Sequence, residues 1–382
     1  MTHSFDALVI GTGPVGYVAA LALAQSGQAV ALIGPKAALQ RDGRTVALLD
    51  SSVEMLKSLG VWDSVSVKAA PLALMRIIDD TGSLFRAPPV TFKASELKLD
   101  AFGYNIELVD LVSILAEAVS NHSEITRVEE AVSEFALDEN RDCVAKLESG
   151  RLLTAALFIG ADGKNSMVRA FAGIASKQWE YKQTAITAIF SHKRDHEDIS
   201  TEFHTRQGPF TLVPLPYRRS SLVWMMEPTR AERFASLDDR SFQEEVERQA
   251  QFMLGPMVME GKRGIIPMAG LSTDQFASGN FALVGEAAHV FPPIGAQGLN
   301  LGFRDVAALM KALTSDTGDT ALQKYNTARK ADVRLRTAAV DLLNRSLLAD
   351  YLPIDLARSI GLLTVASIAP LRRFMMRRGA GH

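Results

Sequence analysis

The sequence predicts an α/β fold, and three stretches of its 382 residues carry that prediction. A strand, a glycine-rich turn, a helix and a second strand follow one another in "FDALVIGTGPVGYVAALALAQSGQAVALIG". An apolar run turns at an Asp-Gly pair into a helix in "LFIGADGKNSMVRAFAGI". Far downstream, "VGEAAHVFPPIGAQGLNLGFRD" sets an acid, a histidine, a Pro-Pro pair and several glycines ahead of an apolar pattern of helical period.

Composition supports such a fold and excludes several classes of function. Hydrophobic residues make up 47% and charged residues 22%, the balance of a soluble globular chain. The length suits one large domain or two intimate ones. A formal net charge of −2 argues against a general nucleic-acid binder. A single cysteine, Cys143, excludes an internal disulfide framework and a Cys-rich metal site; no metal is expected, and a reducing compartment is. "MTHSFDALVIGTG" lacks a basic n-region and a long apolar h-region, so no secretory leader is expected. Outside the N-terminal segment, the longest uncharged apolar stretch, Ile360–Leu371, is too short to span a bilayer.

In the first stretch, Ala7–Ile10 is a buried-strand run, Tyr17–Gln25 a helix rich in small residues, and Ala29–Ile33 a second strand. Gly11, Gly13 and Gly16, with Pro14 and Val15 between them, form G-x-G-x-x-G at the strand-to-helix turn. The first glycine permits the turn, the second lets a pyrophosphate approach the backbone, and the third lets helix and strand pack closely. Phosphates would sit on the helix N-terminus, where free N–H groups and the dipole favour an anion. The acid that usually ends the second strand and binds a ribose hydroxyl is replaced by Gly34, so ribose recognition is either looser or supplied by a neighbour such as Lys36 or Arg41.

In the second stretch, Leu157–Ile159 is a strand, Asp162-Gly163 a turn, and Ser166 the cap of a helix over Met167–Phe171. A capped turn accounts for all of these except Arg169, which leaves a structural and a binding role both open.

Together the three segments resemble the class A flavoprotein aromatic hydroxylases, the p-hydroxybenzoate hydroxylase-like group. Its G-x-G-x-x-G, D-G-x-x-S-x-x-R and G-D-x-x-H-x-x-x-P motifs are matched by Gly11–Gly16, Asp162–Arg169 and Gly285–Pro293. The resemblance is closer to the ubiquinone-biosynthesis FAD-dependent hydroxylases, whose late signature H-P-[apolar]-[AG]-G-Q-G-x-N-x-G is echoed from Pro292. Asp42–Trp62, Gly103–Val119 and Gly208–Trp224 also look like segments of that subfamily. Two departures stand out: Glu286 replaces the motif's Asp, and Gly279-Asn280 replace a common basic residue.

The resemblance implies a Rossmann-like FAD-binding domain interleaved with a β-sheet substrate domain, plus a helical C-terminal tail. The expected boundaries are 1–74, 101–177 and 279–337 for FAD, 75–100 and 178–278 for substrate, and 338–382 for the tail. Strands are expected at Thr184–His192 and Phe210–Pro216. The implied reaction uses NAD(P)H and O2, through a C4a-hydroperoxyflavin, to hydroxylate the ring of a polyprenylated phenol in ubiquinone biosynthesis. Pro292, Pro293, Gly295, Gln297 and Gly298 would form the flavin-ring loop, ahead of a helix over Leu299–Leu313 that offers its N-terminus to the reduced ring. Leu299 and Asn300 would add contacts, Gly285 and Glu286 would lie under the ribityl chain, and Arg44 would approach the pyrophosphate and ring. Asp162 and Arg169 would serve pyrophosphate and the NAD(P)H route. His289 is expected to be structural, because the oxidising power resides in the flavin.

Three rivals remain open: a hydroxylase of a small soluble aromatic, a flavin reductase of isoprenoid double bonds, and a non-catalytic FAD-bound scaffold. Expected partners are the substrate and other quinone-biosynthesis proteins. The tail, with Arg372, Arg373, Arg377 and Arg378 beside an apolar run, reads either as a packed helix with a solvated basic face or as a membrane-touching surface. The expected location is cytoplasmic, and on the second of these readings peripheral to the inner face of a membrane.

Overall fold

The computed structural model describes residues 3–36, 41–82, 88–137, 143–291, 297–348 and 373. Its first sheet sets Phe281–Leu283, Leu152–Gly160, His3–Ile10, Val30–Ile33 and Ile125–Val128 side by side and parallel. Ala7–Ile10, Val30–Ile33, Leu157–Ile159 and Phe281–Leu283 are unbroken apolar runs, as a sheet covered on both faces requires. The helix Pro14–Gln25 lies against it with every residue from Gly16 to Ala24 buried. Four alanines in that stretch, Ala19, Ala20, Ala22 and Ala24, keep the helix thin enough to be covered all round. Proline at its first position explains why the helix begins at Pro14, ahead of the expected Tyr17.

The second sheet is mostly antiparallel, in the order His289–Val290, Met257–Thr273, Ser176–His192, Arg219–Met226, Gly208–Leu215, Ile199–Thr205, Leu74–Asp79, Val90–Lys93. The Leu74–Asp79 and Ile199–Thr205 pair alone in this order runs parallel. Alternation divides its residues between two faces. One face carries an aromatic core under the helices Pro228–Ala235 and Asp239–Gln249, including Phe190, Phe203, Phe210, Trp224, Phe234 and Phe242. Phe210 and Trp224 meet edge-to-face at 5.0 Å, and Trp224 and Phe234 at 4.7 Å.

The other face turns toward the parallel sheet. Between them lies a small sheet of Thr45–Leu49, Gly103–Glu107 and Ala70–Pro71. Buried Ser221 on the large sheet meets the Thr45 hydroxyl at 2.9 Å and receives the Asn105 amide at 3.2 Å. Asn105 also donates to Pro214 O at 2.9 Å. The strand expected from Thr184 starts at Ser176, because its first half bears exposed Lys177, Gln178, Glu180 and Lys182 and so breaks the apolar run without breaking the backbone ladder. The ladder slips between Glu180 and Thr184.

Two further helices among the described residues are Gln297–Ser315 and Gly318–Leu348. Residues 349–372 and 374–382 lie outside the described residues, and with them most of the expected tail, Arg372, Arg377 and Arg378 included. No helix among the described residues is long and apolar enough to cross a membrane.

Candidate active site

The glycine turn owes its shape to close backbone contacts. Gly11 has φ +121°, and a Cβ there would lie 2.2 Å from Ala161 O. A Cβ at Gly16 would lie 1.9 Å from Gly11 O. Gly13 differs: nothing lies within 4 Å of the place its Cβ would take. The first intrahelical bond runs from Tyr17 N–H to Gly13 O at 3.0 Å, so the N–H groups of Val15 and Gly16 point out of the helix end. Pro14 has no N–H, and no side chain caps the end. Gly34, at the tip of the second strand, packs on Thr12, and Thr12 donates its hydroxyl to Pro35 O at 2.8 Å.

The Asp-Gly corner lies against this turn. Asp162 Oδ2 accepts from Met167 N–H at 2.7 Å and Val168 N–H at 3.2 Å. Ser166 caps the helix Met167–Phe171, accepting from Arg169 N–H at 2.9 Å, as its place after the turn predicts. The other oxygen, Asp162 Oδ1, is buried with no hydrogen-bond partner. Arg169 is buried, and its guanidinium donates to Ala287 O and Lys164 O, each at 2.8 Å. It therefore ties the middle motif to the late one through backbone carbonyls.

The late motif joins the other two through small residues. A Cβ at Gly302 would come 2.6 Å from Val15 Cγ2, and one at Gly285, where φ is +63°, 3.1 Å from the same carbon. Val15 of the glycine turn thus packs directly on both. Glu286 is exposed on the Gly285–Ala287 turn. Asn300 is buried: its Oδ1 accepts from Leu49 N–H at 2.8 Å and Ser52 Oγ at 2.6 Å, and its Nδ2 donates to Ala47 O at 2.8 Å. It locks the start of Gln297–Ser315 to the turn before the helix Asp50–Ser58. Gly298 has nothing within 4 Å of a would-be Cβ, and Leu299 packs against the main core. Pro292, Pro293 and Gly295 lie outside the described residues, as does the side chain of Gln297.

A residue absent from the motif reading organizes this region. Asp305 is fully buried and accepts from Gly285 N–H at 2.8 Å, His289 Nε2 at 2.7 Å and Arg329 Nε at 2.7 Å. His289 is buried at 1% exposure, its ring centroid lies 5.5 Å from that of Phe291, and its Nδ1 has no hydrogen-bond partner among the described residues. Arg329 also binds Asp332 at 2.7 Å. The signal for Asp305 was present in the sequence: it stands four residues after Leu301 and four before Leu309, within the buried stripe of its helix.

Arg44 folds back on Asp42, with Nε to Oδ2 at 2.8 Å, and is half exposed. Burial raises the Asp42 carboxyl's pKa, but the hydrogen bonds and charge of Arg44 outweigh it and hold the group below its ordinary value. The loop bearing both rests on the large sheet, where a Cβ at Gly43 would meet Ala188 Cα at 3.1 Å. Beside it, buried Glu107 pairs with Arg41 and, at 2.8 Å, with Arg219, which reaches Glu260 as well. This ion-pair group also escaped the sequence reading, since its members lie on four separate segments.

The cradle suits a dinucleotide: space over Gly13 is open, the helix end is uncapped, and Asp162 Oδ1 lacks a donor. An antiparallel sheet is set against it, and this arrangement, together with the similarities that follow, marks the chain as a FAD-dependent monooxygenase. The chain belongs to the FAD binding domain family, which matches residues 4–339. It is 33% identical to the ubiquinone hydroxylase UbiL of Rhodospirillum rubrum, over 98% of this chain and 89% of that protein. It is 32% identical to the 3-demethoxyubiquinol 3-hydroxylase of Escherichia coli, over 98% and 97%. Among solved structures, p-nitrophenol 4-monooxygenase PnpA of Pseudomonas putida superposes with a TM-score of 0.80 at 16% identity, covering 98% of this chain and 97% of that one. HpxO of Klebsiella pneumoniae, complexed with FAD and uric acid, gives 0.77 at 17% identity, over 99% and 96%. At these identities the two structures speak for the fold.

Proposed function

We propose that this enzyme hydroxylates the aromatic ring of a polyprenylated phenol in ubiquinone biosynthesis, with NAD(P)H as reductant and O2 as the oxygen source. The observation that carries the reading is full-length similarity, above 30% identity, to two proteins named as ubiquinone-pathway hydroxylases. Bound FAD would supply the electron transfer and oxygen activation that side chains lack. The protein's contribution is to bind, orient and keep dry.

Gly11, Gly13, Pro14, Val15 and Gly16 would receive the pyrophosphate, with the Val15 and Gly16 N–H groups as donors. Asp162 Oδ1 is an acceptor without a donor, which favours a hydroxyl of the cofactor over one of its phosphates, since two anions repel. Arg169 would act at one remove, by holding Ala287 and so the Gly285–Glu286 turn under the cofactor chain. Asn300 would likewise set the angle of the helix whose first residues, Gly298 and Leu299, approach the ring. Arg44 would need to leave Asp42 to reach the cofactor, and its exposure permits that. The flavin-ring loop of Pro292, Pro293, Gly295, Gln297 and Gly298 remains part of the proposal. An apolar patch on the inward sheet face, with Ala185, Met225, Met268 and Ile266, favours a greasy ring substrate over a small charged aromatic.

The test is a strain lacking the gene, with quinone intermediates identified by mass. A prenylated phenol short of one oxygen is expected to accumulate; a normal quinone pool would overturn the reading. Substrate-stimulated O2 uptake by the purified enzyme with NADH or NADPH separates it from a reductase or a scaffold.

A further inference from the structure

We propose that Gln183 is the group that recognizes the phenolic hydroxyl of the aromatic substrate, a specificity role that rests on the function proposed above. Gln183 lies on the Ser176–His192 strand and is 3% exposed. Neither its Oε1 nor its Nε2 has a hydrogen-bond partner. A buried primary amide with nothing to bind is costly, by an amount that folded proteins ordinarily avoid.

Its surroundings say what kind of partner is missing. Alternation puts Gln183 on the same face as Tyr181 and Ala185, where Ala185, Met225 and Met268 form a small apolar cluster flanked by Tyr181, Val223 and Ile266. Register extends that face to Ser221, because Ala185 pairs with Met225, Thr187 with Val223 and Ile189 with Ser221. Ser221 touches Thr45 and Asn105 of the small middle sheet, so this is the face turned toward the dinucleotide half. The amide therefore stands on the sheet face that carries this apolar cluster.

The local backbone is irregular at this point. Between Glu180 and Thr184 the ladder with Met257–Thr273 slips, so three residues, Tyr181 to Gln183, stand opposite Met268. Such an irregularity redirects side chains and is common beside active sites. The strand His289–Val290 runs antiparallel along Met257–Thr273, with His289 at Ser272 and Val290 at Leu271. Phe291 thus continues toward Gly270 and Met268, the level of the slip. An amide that both donates and accepts, set beside an apolar cluster, matches a hydroxyl that does both on an apolar ring.

The experiment titrates FAD-loaded enzyme with a phenol bearing a three-isoprene chain, and with the same chain on benzene, read by perturbation of the flavin absorbance. Wild type is compared with Gln183→Met and Gln183→Leu, each checked for flavin content and thermal unfolding. Wild type should prefer the phenol, and that preference should fall about fivefold to tenfold in both variants, with benzene-ligand affinity changed less than twofold. Thermal stability should hold or rise, since an unpaired buried amide is removed. Preference retained in the variants would overturn the proposal; a stability gain alone would mean that the amide holds only a buried water. If wild type binds both ligands equally, the hydroxyl is not read and the proposal falls by itself. If wild type binds neither, the proposed substrate class falls with it.

Discussion

Replacing Asp305 tests whether one buried carboxylate holds the late motif together. It accepts from Gly285 N–H, His289 Nε2 and Arg329 Nε, all within 2.8 Å, and has no exposed surface. In Asp305→Ala those three donors stay buried without an acceptor. An unsatisfied buried donor costs about 1–3 kcal/mol, and breaking a buried ion pair about 3–5 kcal/mol. Arg329 keeps Asp332, which limits the charge penalty. The terms overlap, so the expected loss is about 3–5 kcal/mol and not their sum. Asp305→Asn retains one oxygen but turns an NH2 toward other donors, for a loss of about 2–4 kcal/mol. The assay is guanidinium unfolding at fixed free FAD, because bound ligand adds to apparent stability. A loss below about 1 kcal/mol in Asp305→Ala would refute the reasoning, since three buried donors cannot be abandoned so cheaply.

Gly13→Ala should fold normally but bind FAD at least tenfold more weakly, whereas Gly16→Ala, whose Cβ would lie 1.9 Å from Gly11 O, should lose the fold itself; circular dichroism with FAD titration separates the two. His192 lies buried between Arg194 O at 2.6 Å and Ser220 Oγ at 3.0 Å, and burial, the leading effect, lowers its pKa against the opposing carbonyl bond. The unfolded chain then takes up the proton first. Stability from the neutral ring is complete above about pH 6.5 and is lost as pH falls below that toward the folded value. Unfolding midpoints of wild type should therefore drop more steeply between about pH 7 and 5 than those of His192→Gln, and parallel curves would count against it. Glu107→Gln should cost about 1–3 kcal/mol, discounted because Arg41 and Arg219 are partly exposed, and an unchanged thermal midpoint would mean that the two halves do not depend on this pair.

Much of the fold was legible because it rests on local rules. The strand and helix around Gly11–Gly16 follow from apolar runs and glycine spacing, and the structure extends them only at their ends, to His3–Ile10 and Pro14–Gln25. The Ser166 cap follows from a short polar side chain three residues before an N–H it can reach. The Gln297–Ser315 helix exceeds the expected Leu299–Leu313 by two residues at each end, the ordinary uncertainty of helix ends.

The sequence by itself determined the α/β class, the glycine turn and the order of the three motifs, since each depends on residues within a few positions of one another. Only the tertiary structure decided what the polar side chains do. Asn300 bonds to Ala47, 253 positions away, Arg219 to Glu107, 112 away, and Asp305 to Gly285 and Arg329 on either side of it. Gln183 was invisible in the sequence for the same reason: an unpaired amide is defined by the apolar neighbours that surround it, and those come from strands that meet only when the sheet is assembled. Period and spacing determine which way a side chain points; what waits there depends on the rest of the chain.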